Sequence, residues 1–253
     1  MIKFFRKIRY NHMATVKTSP NDSVGRASKY LKYAIGEIVL VVIGILIALS
    51  INNWNEERKL QSEELKLLFD IKTNLESNLV NFINDTIRNH KDLVEYQKIE
   101  TYIKNNSPYN EELDNGFGRL TFWSSPNIIK TAYRSLQTKG LDLISNETLK
   151  NAIVNMYEIE LATIVQDYEQ SELQIMENIV TPFFAKHMRR LHEKSLMLSR
   201  PNDFESLKQN EEFKNILSMI IRQRKRGFEF FNDVMKSMNT LISNIDSELQ
   251  SRQ

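Results

Sequence analysis

The sequence lacks cysteine and is poor in the residues that form tight turns, with seven glycines and five prolines among 253 residues. Without cysteine the chain has no disulfide scaffold, iron–sulfur cluster, thiolate zinc site or cysteine nucleophile. So few glycines and prolines argue against an all-β sandwich or barrel, which needs many tight turns. A hydrophobic content of 41% excludes a chain that is disordered throughout.

Motifs of the common enzyme classes are also missing. The histidines are His12, His90, His187 and His192, and the last two are five residues apart, so they do not share a helix face. Gly116-Phe117-Gly118 lacks the third glycine of a dinucleotide loop, and there is no Gly-x-Ser-x-Gly, Walker lysine or His-Glu-x-x-His motif. We therefore predict a protein that is not an enzyme and binds no metal or cofactor.

The net charge of +2 hides a strong asymmetry along the chain. Residues 1–33 carry eight basic side chains and one acidic side chain, whereas the remaining 220 residues carry 26 basic and 31 acidic ones. Between the two blocks lies an apolar run, Ala34–Ile51, in which Ile38–Leu49 contains no polar side chain. Eighteen helical residues span roughly 27 Å, close to the thickness of a bilayer's hydrocarbon core. The pattern predicts a single transmembrane anchor.

The charge step also predicts the orientation of the anchor. Basic residues before an apolar run favour a cytoplasmic N-terminus. After the run, Asn52, Asn53 and Trp54 occupy the position of a membrane interface, where tryptophan is enriched. We expect a cytoplasmic segment 1–33, a membrane anchor 34–51, and a domain 52–253 on the outer side of the membrane.

Two other interpretations of the apolar run compete with the anchor. A buried core helix can be equally apolar, but the charge step would then be a coincidence. A signal peptide cleaved after Ser50 would use the small residues of Ala48-Leu49-Ser50. That interpretation requires an unusually long basic region and a mature chain beginning at Ile51. The anchor remains the favoured prediction, and cleavage stays open.

Three stretches carry a resemblance to a known family. They are YAIGEIVLVVIGILIALSINNWNEERK at Tyr33–Lys59, the basic opening Met1–Arg9, and the looser match Thr131–Glu158. Together they resemble a family of single-pass, membrane-anchored helical proteins of unknown function from Gram-negative bacteria. The resemblance implies an inner-membrane location and a helical architecture, and no activity. The segment Asn11–Arg26 is longer than the family's usual spacer.

The rest of the chain has helical periodicity, because apolar residues recur three or four positions apart. The pattern predicts that the anchor continues into a long helix, whose apolar stripe reaches Ile103 and which ends at Asn105-Asn106-Ser107-Pro108. Further helices are predicted over Pro126–Lys139, from a cap at Asn146 or Ser145 to about Met188, and from a capping box at Asn202-Asp203-Phe204-Glu205 to the C-terminus. We predict an all-α fold in which one transmembrane helix continues into a long helix, followed by an antiparallel helical bundle.

One candidate interaction face lies within the anchor. Glu37, Val41, Gly44 and Ala48 are spaced four, three and four residues apart, so they line one side of a helix. Gly44 and Ala48 form a small-x-x-x-small pattern that allows two helices to approach closely. We predict an anchor face that packs against a second copy or another helix. The alternative is that Glu37 lies in the headgroup layer, with no packing role.

A second candidate is the basic run Arg222, Arg224, Lys225 and Arg226 on the last helix. It is interpreted either as a solvated surface that pairs with acids on neighbouring helices, or as a docking patch for an anionic partner. No nucleic-acid partner is predicted, because the 220 residues after the basic segment have an excess of acids and are expected to face away from the cytoplasm. The amphipathic start Met1–Arg9 predicts contact with anionic lipid, or serves only as a topology signal.

Two classes of function remain. The first is a non-enzymatic envelope interaction or scaffold protein that presents a periplasmic helical bundle to itself or to an envelope protein, with the lipid bilayer as a further partner. The alternative is a periplasmic small-molecule sensor that binds a ligand between helices. A sensor would need a separate signalling partner, because residues 1–33 are too short to contain a signalling domain.

Overall fold

A computed structural model describes residues 23–192 and 197–252, with side chains from residue 31 onward except Tyr33. These residues are almost entirely helical, which confirms the predicted all-α class. The chain divides into two units, with the boundary between Lys59 and Leu60. The predicted contact of Met1–Arg9 with lipid, and most of the predicted cytoplasmic segment 1–33, fall on residues outside the described ranges.

The helix α1 spans Ser23–Lys104. It contains the apolar run and extends without interruption past Ile103, so the predicted long helix is confirmed. Gly36 and Gly44 of this helix both stand in open space, where no neighbouring atom requires a glycine.

The second unit contains the rest of the described elements. Antiparallel strands β1 and β2 pair Met188 with Pro201 and form the described β-structure. The helices and strands follow in this order, with short 3₁₀ turns at Glu111–Leu113 and Leu141–Leu143: α2 (Asp114–Arg119), α3 (Thr131–Lys139), α4 (Glu147–Asn155), α5 (Leu161–Thr163), α6 (Gln170–Ile175), α7 (Thr181–His187), β1 (Met188–Arg190), β2 (Ser199–Pro201), α8 (Phe204–Gln209) and α9 (Glu211–Ser251).

The core of this unit consists of two hydrophobic clusters. The first core cluster contains Leu68, Ile71, Leu75 and Phe82 of α1, with residues of α3, the helical stretch 147–169 and the C-terminal half of α9. The second core cluster contains Leu93, Tyr96 and Ile99 of α1, with residues of α2, the stretch 176–188, α8 and the N-terminal half of α9. Three long helical segments therefore contribute to both clusters, which is the predicted bundle.

The middle helical segment, residues 147–187, is not a regular α-helix. Its buried residues repeat every four positions, as in Ile153, Tyr157 and Leu161, and again in Ile164, Tyr168, Glu172, Met176 and Val180. Four residues of α-helix rotate by about 400°, so such a stripe drifts by about 40° at each repeat. Within the described residues, wider π-helical turns absorb this drift and keep the stripe facing the core. They lie at Met156–Glu160, Ile164–Glu169 and Met176–Val180.

The prediction of a helix over Pro126–Lys139 is wrong at its N-terminal end. Residues 123–130 are not helical, and α3 begins only at Thr131. It ends where predicted, at Lys139, followed by Gly140 with a φ of 102° that favours glycine. Residues 123–130 are called the connector below.

The connector is held by side-chain amides of α1. Asn78 accepts a hydrogen bond from the Ile129 N–H (2.7 Å) and donates one to the Ile129 carbonyl (3.0 Å). Asn89 binds both backbone groups of Ser124 in the same way, at 3.0 and 2.8 Å. These residues belong to one stripe of α1, the amide ladder, which consists of Asn74, Asn78, Asn81 and Asn89. The ladder satisfies backbone groups that a helix would otherwise satisfy internally.

The structure confirms the predicted start of α4 and corrects the predicted start of the last long helix. Of the two predicted caps Asn146 and Ser145, Asn146 caps α4, because its side chain accepts a hydrogen bond from the Leu149 N–H at 3.1 Å. Asp203 does cap a helix, but that helix is the short α8 rather than the last long helix. The long helix α9 begins after a second cap, Asn210, whose side chain accepts from the Phe213 N–H at 2.9 Å.

The amide ladder makes a testable prediction about stability. We expect Asn78→Ala to lower the free energy of unfolding by about 1–3 kcal/mol, because the Ile129 N–H and carbonyl lose their partner. The matched control is Asn84→Ala, an exposed asparagine of the same helix, which should change stability by no more than about 0.5 kcal/mol. Urea unfolding of the full chain in detergent solution, followed by circular dichroism, measures both. Equal losses in the two variants would contradict a specific role for Asn78.

Candidate functional site

The apolar run of α1 is exposed along its whole length. Its large side chains between Ile35 and Ile51 are 47 to 63% exposed, and none of the most apolar 18-residue window is buried. By length and composition this helix is able to cross a membrane. A core helix would be mostly buried, so the described structure provides no support for that interpretation of the run.

The predicted anchor face has no packing partner in the described structure. Glu37, Val41, Gly44 and Ala48 are all exposed, and a Cβ atom added at Gly44 would meet nothing within 4 Å. The helical spacing that places them on one side of α1 is present. Their role in helix association stays a prediction.

The predicted interface residues are exposed as well. Trp54 is 63% exposed, and the Arg58 guanidinium lies over its indole ring at 5.9 Å. Asn52 donates a hydrogen bond to Glu56 at 3.0 Å, while Asn53 is exposed. This end of the run combines an aromatic ring with polar groups, a composition found at membrane surfaces.

The predicted basic run does not form one surface. Arg224 is 1% exposed and pairs with buried Glu172 in the interior. Arg226 is partly exposed, pairs with Asp167 at 2.7 Å, and lies over the Phe230 ring. Of the four, Arg222 and Lys225 are exposed, so any docking patch lacks Arg224. Docking of an anionic partner at the remaining residues stays a prediction.

Arg224 belongs to a buried polar layer between the two core clusters. The layer consists of polar side chains at the level where each long helical segment passes from the first core cluster to the second. They are contributed by α1 (Asp85, Asn89, Asp92), the middle segment (Glu172) and α9 (Gln223, Arg224). The bundle therefore has a polar cross-section between two apolar ones.

Most groups of the polar layer are paired. Arg224 donates to Glu172 and, through Nη2, to the Phe122 carbonyl at 3.0 Å. Asp92 forms a bidentate ion pair with Arg119, and the Tyr96 hydroxyl donates to the Arg119 carbonyl at 2.8 Å. These contacts connect the three long helical segments to the residues that lead into the connector.

Two donors of the polar layer lack a partner in the described structure, Arg224 Nε and Gln223 Nε2. The space around them is tightly filled. A Cβ atom at Gly227 would lie 2.6 Å from the Tyr168 ring, so the aromatic ring packs directly on the backbone of α9. Gly227 is thus required for close approach of α9 and the middle segment at the level of the layer.

Burial and charge shift the pKa values in the layer. Burial raises the pKa of Tyr96 to about 12. For Arg224, burial acts to lower the pKa, but the interactions with Glu172, Tyr168 and Tyr96 together outweigh it, and the net shift is upward. Arg224 therefore stays charged at every physiological pH, and the layer holds a permanent buried ion pair.

The described residues contain no group of three or more His, Asp or Glu side chains that could hold a metal ion. His90 packs against Phe228 with ring centroids 5.9 Å apart, and His187 stacks on Phe183 at 4.3 Å. His192 is exposed, and His12 lies outside the described residues. The described histidines thus make packing contacts or face solvent.

A groove relevant to the sensor alternative lies between the middle segment and α9. It has a volume of about 460 Å³ and is open to solvent. Ala152, Met156 and Leu241 supply apolar lining, and most of the other residues are polar. Binding sites for small molecules are usually more enclosed and more apolar. Ligand binding between the helices stays a prediction.

Sequence reasoning missed the amide ladder and the partner of Arg224. A signal for the ladder existed, because Asn74, Asn78, Asn81 and Asn89 follow helical spacing on the same side as buried Leu75 and Phe82. A stripe of amides on a buried helix face indicates backbone partners from another segment. The partner of Arg224 gave no comparable signal.

The fold and its surfaces define a class: an all-α protein with one exposed apolar helix and a helical domain whose core is divided by a polar layer. Comparison with family models places residues 37–197 in a single family. The chain belongs to the family of unknown function DUF6090. Neither the curated proteins nor the solved structures yield a match. The family therefore supplies no activity.

The buried ion pair makes a prediction that separates the cost of leaving one charge unpaired from the cost of removing both charges. Arg224→Met leaves the Glu172 carboxylate buried and unpaired, so we expect a loss of about 3–5 kcal/mol in the free energy of unfolding. The double variant Arg224→Met/Glu172→Leu should recover most of that loss, because no unpaired charge remains. Arg226→Met, which breaks the half-exposed pair, is the control and should cost no more than about 1 kcal/mol. A double variant less stable than Arg224→Met would contradict this account.

Tyr96 makes a prediction about pH. Between pH 10 and 12 the unfolded chain releases the Tyr96 proton while the folded chain retains it, because burial raises the folded pKa to about 12. This contribution to stability is present below pH 10 and is lost as the pH rises, by up to about 2–3 kcal/mol. In urea unfolding, Tyr96→Phe should show a shallower loss of stability over this range than the parent chain. If the free energy of unfolding fell with pH at the same slope in both chains, this account of Tyr96 would be contradicted.

Proposed function

We propose that this chain is a non-enzymatic membrane protein, anchored by residues 34–51, whose helical domain binds a protein partner. One observation supports membrane anchoring: an apolar run of a bilayer's length is exposed along its whole length in the described structure. An exposed helix of this kind is unfavourable in water, because about 25 cal/mol is lost for each Å² of apolar surface left hydrated. A bilayer removes that cost.

The proposed orientation rests on the charge step across the run. Eight basic side chains precede Ala34, and the segment directly after Ile51 contains as many acids as bases up to Lys59. Positively charged flanks are retained in the cytoplasm during insertion. We therefore propose that the N-terminal segment is cytoplasmic, and that the domain faces the periplasm from the inner membrane.

The proposed interaction role rests on how the polar groups of the domain are used. Its buried charges and amides bind one another and the backbone, as in Arg224 with Glu172 and Asn78 with Ile129. Buried groups used in this way position the helices of the described domain, which supports a structural use of these groups. Exposed apolar side chains on α1 and the middle segment, by contrast, offer surface to a partner.

A charged substitution in the run tests the anchor. Each lysine near the middle of a membrane helix costs about 2.5–3.5 kcal/mol. We expect Ile43→Lys/Leu46→Lys to move the full chain from the membrane pellet to the supernatant after ultracentrifugation. The matched control, Asn53→Lys/Asn55→Lys, adds the same charge outside the run and should leave the chain in the pellet.

Two further readouts test cleavage and orientation. An N-terminal tag and the domain should remain on one polypeptide in the pellet, whereas separation of the two would support a cleaved signal peptide. A reporter enzyme that functions only in the periplasm should show activity when it is fused after Gln253. A parent chain found in the supernatant, or a C-terminal reporter active only in the cytosol, would contradict the proposal.

A further inference from the structure

The solvent side of α1 carries an apolar stripe in the helical domain. Val80, Ile83, Ile87 and Val94 are 56, 43, 50 and 47% exposed, although they are aliphatic. They lie on the side of α1 opposite the amide ladder, because each residue rotates the helix by about 100°. These four residues are called the outer stripe.

The spacing of the outer stripe is that of a coiled coil. Steps of three, four and seven residues place Val80, Ile87 and Val94 at heptad position a and Ile83 at position d. β-Branched residues are typical of position a in parallel two-stranded coiled coils, where leucine usually occupies position d; here position d carries Ile83. The remaining d position in the stripe is His90, whose ring packs back against Phe228 of α9. Val80 and Val94 are 14 residues apart, so the stripe extends about 21 Å along the helix.

We infer that the outer stripe binds the outer stripe of a second copy of this chain, forming a parallel two-helix coiled coil. This inference rests on the proposed function, because it uses the membrane to concentrate the copies. In such a pair each a residue faces its own counterpart, so Ile87 of one copy packs against Ile87 of the other.

The charges beside the stripe favour a second copy over a strongly charged partner. In a parallel pair, positions e and g of the two helices face each other. From residue 77 to residue 93 these positions carry a single charged side chain, Lys91, which faces Thr86 of the other copy. Two copies therefore meet without like-charge repulsion, and an acidic or basic peptide would find little to pair with. Glu76, which ion-pairs with Lys72, closes the stripe at its N-terminal end.

The area of the stripe explains why the membrane is needed. Four half-exposed aliphatic side chains offer roughly 300 Å² per chain, well below the about 800 Å² per partner that stable complexes bury. A patch of this size gives weak association between free proteins. Confinement to one membrane raises the effective concentration of the copies and converts a weak contact into a stable pair.

The absence of cysteine allows a direct test by disulfide formation. Single variants Ile87→Cys and Val80→Cys are expressed as the full chain, and native membranes are treated with a mild oxidant. A disulfide forms only when two Cβ atoms come within about 4.5 Å, a distance that a residue facing its own counterpart reaches. We expect a disulfide-linked dimer at least about fivefold more abundant than in Ser243→Cys, an exposed control on α9.

A second pair of variants tests whether the apolar contact drives the dimer. Ile83→Glu in the Ile87→Cys background places acids opposite each other, and should lower the dimer yield at least about threefold. Ile159→Glu in the same background is the matched control, because Ile159 is 59% exposed on the middle segment and should leave the yield unchanged. Equal loss in both would overturn the inference.

The failure of this inference and of the proposed function can be told apart. Fractionation before oxidation reports whether the chain is in the membrane pellet. If it is in the pellet and Ile87→Cys forms no more dimer than Ser243→Cys, the coiled coil is overturned and the anchor stands. If the chain is absent from the pellet, the proposed function fails before any disulfide is measured.

Discussion

Asparagine side chains on α1 take the role that a neighbouring strand has in a sheet. The connector residues Ser124 and Ile129 each present an N–H and a carbonyl to α1, and one side-chain amide binds both groups. An extended segment beside a helix would otherwise leave these groups without a partner inside the protein. The ladder therefore fixes where α3 begins, and through α3 it fixes part of the first core cluster, including Ala132, Tyr133 and Leu136.

The polar layer imposes a second constraint on the same bundle. Apolar clusters on their own tolerate shifts of one helix turn, because many hydrophobic packings have similar energies. Arg224 and Glu172 are 52 residues apart and both buried, so a helix shifted by a turn would leave two unpaired charges in the interior. We interpret the layer as a device that selects one alignment of α9 and the middle segment. Close contact between Gly227 and Tyr168 at the same level acts in the same direction.

The parts of the fold that follow local rules were predictable from the sequence. The course of α9 follows from apolar residues at three- and four-residue spacing, and the start of α4 follows from Asn146. The connector was not predictable in this way, because Ser125-Pro126 has the local signature of a helix start. The competing partners, Asn78 and Asn89, are 35 to 51 residues away in the chain. Local propensity was overridden by a tertiary contact.

The candidate site shows the same division between local and distant causes. The apolar run was predictable, because an uninterrupted stretch of apolar residues needs no partner to be recognised. Arg224 was grouped with Arg222, Lys225 and Arg226 because four basic residues in five are typical of a surface. Its position on the apolar stripe of α9 was visible, but the buried carboxylate that accepts it comes from another segment. A charge on an apolar helix face therefore calls for a search for its counter-charge before a surface is proposed.

The surfaces that the fold leaves exposed are the strongest guide to its use. The domain buries its core through residues such as Leu68 and Phe231 and satisfies its interior polar groups with few exceptions. Neither the apolar run nor the outer stripe contributes to these contacts, so removing their exposed side chains would cost the described fold little. Aliphatic side chains that stability does not require, arranged at bilayer length in one place and at heptad spacing in another, are explained by contacts outside the chain. In the proposals made above, lipid covers the first arrangement, whose length matches a bilayer, and the helix of a second copy covers the second, whose period matches a coiled coil.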